Sequence, residues 1–362
     1  MILDMSEEKY IFKGTIIPSN ETITQYGHIM LTKSSEDFKE HFSHGDLLLV
    51  RMATKVFIAP YVVTFTDVDC YQPEVLDINH FGTFLAVNFN DIATRFNLAR
   101  KIVHKDHSYT WVSEYQEISF SVEILEKGAY LEKMKARTVG IYPTKREHYP
   151  NLNDEEYANF RACEKGRTGK GILFRTASPI DDLFGRADYA DKAIREHQIN
   201  NVINLSDNVS EVSNFPKFAD SYYATTNRLE VCMGVEFHDQ EFKDKIRQIL
   251  EFIAVNEGKY AINCIEGKDR TGILIALLEA YMGYTLEEIE YDYMLSFYNY
   301  YGIKPGEVKY EAIKRNISIQ LKYAFEVATL DDLEKLATNY FKNEIKVSDY
   351  ILKQVKKNLA RS

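Results

Sequence analysis

Short β-branched and aromatic runs mark the first third of the chain. Residues 47–52, 56–59, 61–65, 84–88 and 118–124 each alternate or cluster apolar side chains between Asp, Gly and Pro, which predicts five strands. Residues 91–98 read as a helical insert and 128–135 as a short helix. Residues 1–35 are polar and uneven and read as loosely ordered chain or an edge strand. From Gly171 the pattern changes to alternation: strand 172–175, helix 186–197, strand 201–205, strand 222–225, helix 240–256, strand 260–263, helix 271–283. The segments 286–300, 309–323, 330–341 and 347–359 carry apolar residues at three- and four-residue spacing and predict four more helices. Residues 142–154, polar with two prolines, make the expected linker. The expected domains are therefore 1–140, β-rich with a barrel as one form, and 141–362, an α/β domain with a parallel-centred sheet, helices on both faces and a C-terminal helical extension.

The 362 residues are 45% hydrophobic and 27% charged, enough for two ordinary cores. The net charge of −10 argues against nucleic acid or an anionic membrane as partner, since both call for basic surface. The four cysteines, at 70, 163, 232 and 264, form neither a metal-ligand spacing nor a disulfide framework, so no metal or other cofactor is expected. No apolar run approaches the ~20 residues of a membrane span, and residues 1–8 lack the basic start and apolar core of a secretory signal. A cytoplasmic location is expected, with export after loss of a leader left open.

One stretch changes the picture: Cys264-Ile265-Glu266-Gly267-Lys268-Asp269-Arg270-Thr271-Gly272, set between the apolar run 260–263 and a strong helix former. A strand-to-helix turn puts the thiol at a helix N-terminus, where the N–H groups from Ile265 to Arg270 and the helix dipole converge on an anion. The same field favours thiolate over thiol. Arg270 offers a planar fork for two phosphate oxygens. Thr271 stands ready to donate to the thiolate, Lys268 adds a positive charge inside the loop, and Gly267 lets the backbone approach the ligand without a Cβ. A second cysteine turn, Cys163-Glu-Lys-Gly-Arg167-Thr-Gly, places its arginine two residues too early to wrap a phosphate and reads as a polar turn.

Cys-x-x-Gly-Lys-Asp-Arg-Thr-Gly resembles the signature of the protein tyrosine phosphatase superfamily, in its bacterial tyrosine and dual-specificity branch. The blocks 157–161, 173–179, 186–191, 204–207 and 292–302 are similar to that group as well, so the resemblance covers roughly 142–310. It implies a cysteine-dependent phosphomonoester hydrolase working through a cysteinyl-phosphate. Phosphotyrosine protein or peptide is the first substrate, with phosphoserine, phosphothreonine or a phosphoinositide as alternatives. Arg175 and the Asn204–Asp207 loop end strands at the same sheet edge as Cys264 and join the expected site. The sequence departs from the group at Asn263, where relatives usually carry a histidine. A phosphoprotein-binding pseudophosphatase is the rival reading.

The general acid has two candidates. Asp207 is favoured slightly for proton donation, and Asp269 for loop architecture through pairing with Arg175, since proximity to Arg270 would keep Asp269 ionised. Asp239 is expected to cap the helix that follows it. Tyr291, Tyr293, Phe297, Tyr298, Tyr300 and Tyr301 form an aromatic cluster read as core packing ahead of a substrate lid. Residues 1–140 weakly resemble the C-terminal barrel of the S-adenosylmethionine hydroxide adenosyltransferase family, which implies a fold and no activity. A docking or scaffold role is the expectation, and nucleoside binding is the alternative.

Overall fold

The computed structural model describes residues 10–78, 81–104, 108–140 and 142–361, so the acidic stretch 1–8 lies outside the described residues. The chain divides into two compact units, Met1–Val139 and Gly140–Ser362.

The first unit runs β1 (Ile11–Ile16), β2 (Ile29–Thr32), α1 (Ser35–Lys39), β3 (Leu47–Met52), β4 (Lys55–Val62), β5 (Pro73–Ile78), β6 (Gly82–Val87), α2 (Ile92–Arg95), β7 (Arg100–Val103), β8 (Tyr109–Val112), β9 (Ile118–Glu126) and α3 (Leu131–Lys135). Seven strands form one sheet in the order β1-β9-β3-β4-β5-β6-β2, and β7 and β8 pair separately as a hairpin. The segment 1–35 thus supplies both edge strands. The expected break between 56–59 and 61–65 is absent: β4 continues through Pro60, at the point where its pairing passes from β3 to β5. A proline is tolerated there because the ladder changes partner. Strand β5 escaped the pattern because it buries Glu74 and Asp77 among its apolar residues.

In the second unit, α4 (Asp154–Tyr157), β10 (Arg161–Ala162), β11 (Leu173–Thr176), α5 (Ala187–Glu196), β12 (Asn201–Asn204), α6 (Val209–Val212), β13 (Asn227–Glu230), α7 (Gln240–Val255), β14 (Tyr260–Asn263) and α8 (Asp269–Tyr281) precede four helices, α9 (Leu286–Tyr301), α10 (Val308–Phe325), α11 (Leu333–Asn339) and α12 (Asp349–Leu359). The five strands are ordered β10-β11-β14-β12-β13, with only β10 antiparallel to its neighbour. Thr176, Asn263 and Asn204 are in register, so β11, β14 and β12 end together. One sheet face packs Phe174, Val202 and Ala261 against Ala190, Ala193 and Ile194 of α5. Helix α7 turns Phe242, Ile246, Ile249, Leu250 and Ile253 inward, and Asp239 caps it by accepting from Glu241 N–H. Every residue of α8 from Thr271 to Tyr281 is buried, as befits a helix covered on all sides.

Two expectations fail for reasons of tertiary contact. Residues 223–225 form a 3-10 turn, because the Asp191 carboxylate accepts from the N–H groups of Tyr222 (2.9 Å) and Tyr223 (2.8 Å). The strand starts only at Asn227. The expected linker 142–154 is packed into the second unit: Arg146 donates to the carbonyls of Tyr149 and Leu152, and Tyr149 Oη donates to Tyr300 O at 3.2 Å. At its centre Arg186, 2% exposed, lies 3.7 Å from the Tyr300 ring, 4.5 Å from Tyr157 and 5.1 Å from Tyr149, and donates to the carbonyls of Tyr157 and Asn299.

Replacing Arg186 with Met strands both carbonyls and removes the cation from its rings, at a cost of about 3 kcal/mol. A thermal melt of Arg186→Met is expected to fall by about 6–12 °C. A drop below about 2 °C would show that this cation does not organise the 142–154 segment.

Candidate active site

Strand β14 delivers the chain to Cys264, 3% exposed, and α8 begins five residues later. Between them the backbone curls with its carbonyls outward. Ile265 O accepts from Ser178 N–H (3.0 Å). Glu266 O accepts from Tyr300 Oη (2.7 Å) and Asn159 Nδ2 (3.1 Å). Gly267 O accepts from Asn159 Nδ2 (3.1 Å) and Arg175 Nη2 (2.8 Å), and Lys268 O from Arg175 Nη2 (3.3 Å). In a planar trans peptide the N–H of the next residue points opposite the carbonyl. Four outward carbonyls therefore turn the N–H groups of Glu266, Gly267, Lys268 and Asp269 inward, beside the N-terminus of α8. Such a concave row of donors is an anion cradle.

Gly267 sits at φ +65°, and a Cβ there would lie 2.1 Å from Thr176 O. The end of β11 therefore requires a glycine at this position.

The tethers are held by a buried charge cluster. Asp292 of α9 pairs with Arg161 (Nε–Oδ1 2.6 Å) and with Arg175, and Arg161 Nη2 also reaches Ser296 Oγ at 3.1 Å. Burial opposes ionisation of Asp292, but the two guanidiniums hold its carboxyl below the usual range. Asn159, fully buried at φ 54°, accepts from Arg161 Nη1 (2.8 Å) and Asn299 Nδ2 (3.1 Å) while its own amide holds the loop. Sequence reasoning missed Asn159, Ser178 and Tyr300 as loop tethers, and Ser296 as the acceptor that holds Asn159 and Arg161 behind them. Three of them lie in the blocks 157–161 and 292–302, where a polar residue among apolar neighbours was the available signal.

Arg175 is corrected in two respects. It is 0% exposed, so it faces no substrate, and it pairs with Asp292 rather than Asp269. Its place on β11, behind the loop, puts it against α9. Lys268 is corrected as well: its side chain is 8% exposed, and Nζ sits 2.8 Å from Glu266 Oε2, 3.3 Å from Tyr301 Oη and 3.7 Å from Asp269 Oδ2, with the rings of Phe297 and Tyr301 around it. The aromatic cluster is core packing on this evidence, since Tyr293, Phe297 and Tyr300 are buried, while Tyr291 is exposed.

At the rim, Arg270 is half-buried and donates from Nη1 to Leu205 O at 3.2 Å. The Asp207 carboxylate, 7% exposed, accepts from Asn204 Nδ2 (3.0 Å) and Ser206 Oγ (3.1 Å). Its burial raises the carboxyl above the ordinary value, with Asp181 adding to the rise and Arg270 opposing it. Asp181, which sequence reasoning did not single out, stands three residues after the loop-tethering Ser178, whose Oγ caps that turn by accepting from Asp181 N–H (3.0 Å). Asp269 is also raised, first by desolvation, against the pull of Lys268 and Arg270. Burial thus opposes the expectation that proximity to Arg270 would keep Asp269 ionised. Thr271 Oγ1 is buried and has no hydrogen-bond partner among the described residues, so it does not donate to Cys264 here. The same holds for both polar side-chain atoms of Asn263, while its neighbours in register, Thr176 and Asn204, are bonded.

Cys163 is no part of this site. Its N–H bonds Leu173 O, and its thiol is buried within 4.8 Å of Glu279 and Asp292 ligand atoms. Burial raises both the Cys163 thiol and the Glu279 carboxyl, and the charge on Asp292 is already paired with Arg161 and Arg175. Among the described residues no helix is long and apolar enough to cross a membrane.

Comparison with known proteins adds a family. No curated protein matches the chain. Among solved structures it is similar to P. aeruginosa TpbA, crystallised with phosphotyrosine (15% identity, 50% of this chain and 97% of that one, TM-score 0.31), and to the S. cerevisiae PP-IP phosphatase Siw14 catalytic core (19%, 52% and 93%, 0.28). It also matches an uncharacterized conserved protein from Thermotoga maritima at 23% identity, covering 27% of this chain and only 33% of that protein's length, with a TM-score of 0.21. Identities and TM-scores are low throughout. The tyrosine phosphatase family, by contrast, matches residues 155–361, more than half of the 362 residues. The chain belongs to the tyrosine phosphatase family.

Proposed function

We propose that this protein is a cysteine-dependent phosphomonoester hydrolase acting on phosphotyrosine in proteins or peptides, with the catalytic domain in 141–362 and a docking domain in 1–140. The observation that carries the reading is the row of outward-tied carbonyls from Ile265 to Lys268, which leaves four N–H groups facing the space beside Cys264 and Arg270. Donors fixed in this way act on the charge that develops on phosphorus oxygens without reorganising during the reaction.

The steps follow from that placement. The Cys264 thiolate attacks phosphorus, the bond to the leaving oxygen breaks, and Asp207 gives that oxygen its proton. Arg270 and the loop N–H groups hold the three non-bridging oxygens. Water, deprotonated by the Asp207 carboxylate just formed, then attacks the cysteinyl-phosphate. The S–P bond breaks, the thiolate returns and inorganic phosphate leaves. Asp207 is preferred over Asp269 as the acid because it lies on a separate strand end, beside Arg270 and outside the cradle, whereas Asp269 forms part of the loop and sits 3.7 Å from Lys268. Phosphoinositide as substrate loses its support, since the Lys268 charge on which it rested is engaged by Glu266.

With p-nitrophenyl phosphate, Cys264→Ser is expected to lower kcat at least about a thousandfold while retaining vanadate or phosphate binding by calorimetry. Turnover within about tenfold of wild type would refute a cysteine nucleophile. Absence of wild-type turnover together with tight vanadate binding would favour the pseudophosphatase.

A raised Asp207 carboxyl keeps its proton at higher pH, so kcat should fall as pH rises through a value above the ordinary carboxyl range. Asp207→Asn should remove that limb and slow phenyl phosphate far more than p-nitrophenyl phosphate, whose leaving group needs no proton. If Asp269→Asn shows the steep leaving-group dependence and Asp207→Asn does not, the two roles are exchanged.

A further inference from the structure

The side chains of the loop add to zero: Glu266 and Asp269 are acidic, Lys268 and Arg270 basic. Their arrangement is not symmetric. Lys268 spends its charge inside the protein, against Glu266 at 2.8 Å and Tyr301 Oη at 3.3 Å, with Asp269 beyond at 3.7 Å. As whole side chains Glu266 (20% exposed) and Asp269 (43% exposed) are more open than Lys268 (8% exposed), although Glu266 Oε2, the oxygen that faces the ammonium, is buried. Asp207 and Asp181 add two more carboxyls on the side of Arg270. The cradle thus has donors for one phosphate, from backbone N–H groups and Arg270, and the Glu266 carboxylate beside it, with the one lysine of the loop already engaged.

From this we infer that Glu266 is a specificity residue: by holding Lys268 under the aromatic rings it limits the enzyme to an isolated phosphate and rejects substrates with a second phosphate next to the scissile one. The inference rests on the phosphatase reading and names its substrate class. A second phosphate brought to the rim meets Glu266 as a like charge, at a cost that falls with screening. Released from Glu266, the Lys268 ammonium is a flexible point charge of the kind that binds such a group.

The test uses the full chain and two peptides of one sequence, the first with a single phosphotyrosine, the second with a further phosphate on the adjacent residue. The ratio of kcat/KM, doubly over singly phosphorylated, cancels effects common to both. Wild type should give a ratio below one. Glu266→Gln should raise the ratio about tenfold, and adding Lys268→Met to that variant should return it toward wild type. The wild-type ratio should also climb as salt is raised to about 0.3 M. An unchanged ratio in folded Glu266→Gln overturns the inference. Should that variant fail to fold, the salt series decides, and a flat series overturns it. If wild type hydrolyses neither peptide nor p-nitrophenyl phosphate, the phosphatase reading itself falls, and the inference with it.

Discussion

The second unit depends on one buried ion cluster, Asp292 between Arg161 and Arg175. Three charged groups out of water are costly, and breaking one pair would leave an uncompensated charge. Here the cluster is extended by hydrogen bonds to Asn159, Ser296 and the carbonyls of Gly267 and Lys268. Arg175 reaches those carbonyls from β11, which runs parallel to and in register with β14, while Asp292 and Ser296 of α9 hold both arginines. A loop whose carbonyls are fixed has no freedom in its N–H groups. The inward set of the loop N–H groups is thus a consequence of what sits behind the loop.

Much of this was legible along the chain. The cysteine and arginine with five residues between them, set between a buried run and a helix former, located the loop, and the spacing of apolar residues located α7 and α8. What stayed hidden depended on partners far away in sequence. Residues 223–225 carry strand-forming side chains, yet Asp191, about thirty positions earlier, captures their N–H groups. Gly267 reads as a ligand-approach glycine until the Thr176 carbonyl is placed against it. Arg175 reads as a substrate ligand until Asp292, 117 residues on, is seen to hold it. Lys268 reads as free charge until Glu266 and the rings of α9 enclose it. In each case residue type was informative, and the partner that decided its role was not.

Charge ties the site to the whole molecule. A protein of net charge −10 does not draw anions by its overall field. A local field from the loop N–H groups, the α8 terminus and Arg270 would act at short range and on one group. Asn263 fits the same economy. It carries no charge, and its unbonded amide leaves the thiol to the backbone and Arg270.

The central claim is that phosphate passes through Cys264. Wild-type protein mixed with a phosphotyrosine peptide, acid-quenched within milliseconds and digested should show one phosphate on the peptide carrying Cys264, appearing before free phosphate and decaying with it. Phosphate release at the full steady-state rate with no phosphorylated Cys264 peptide at any quench time would contradict the account.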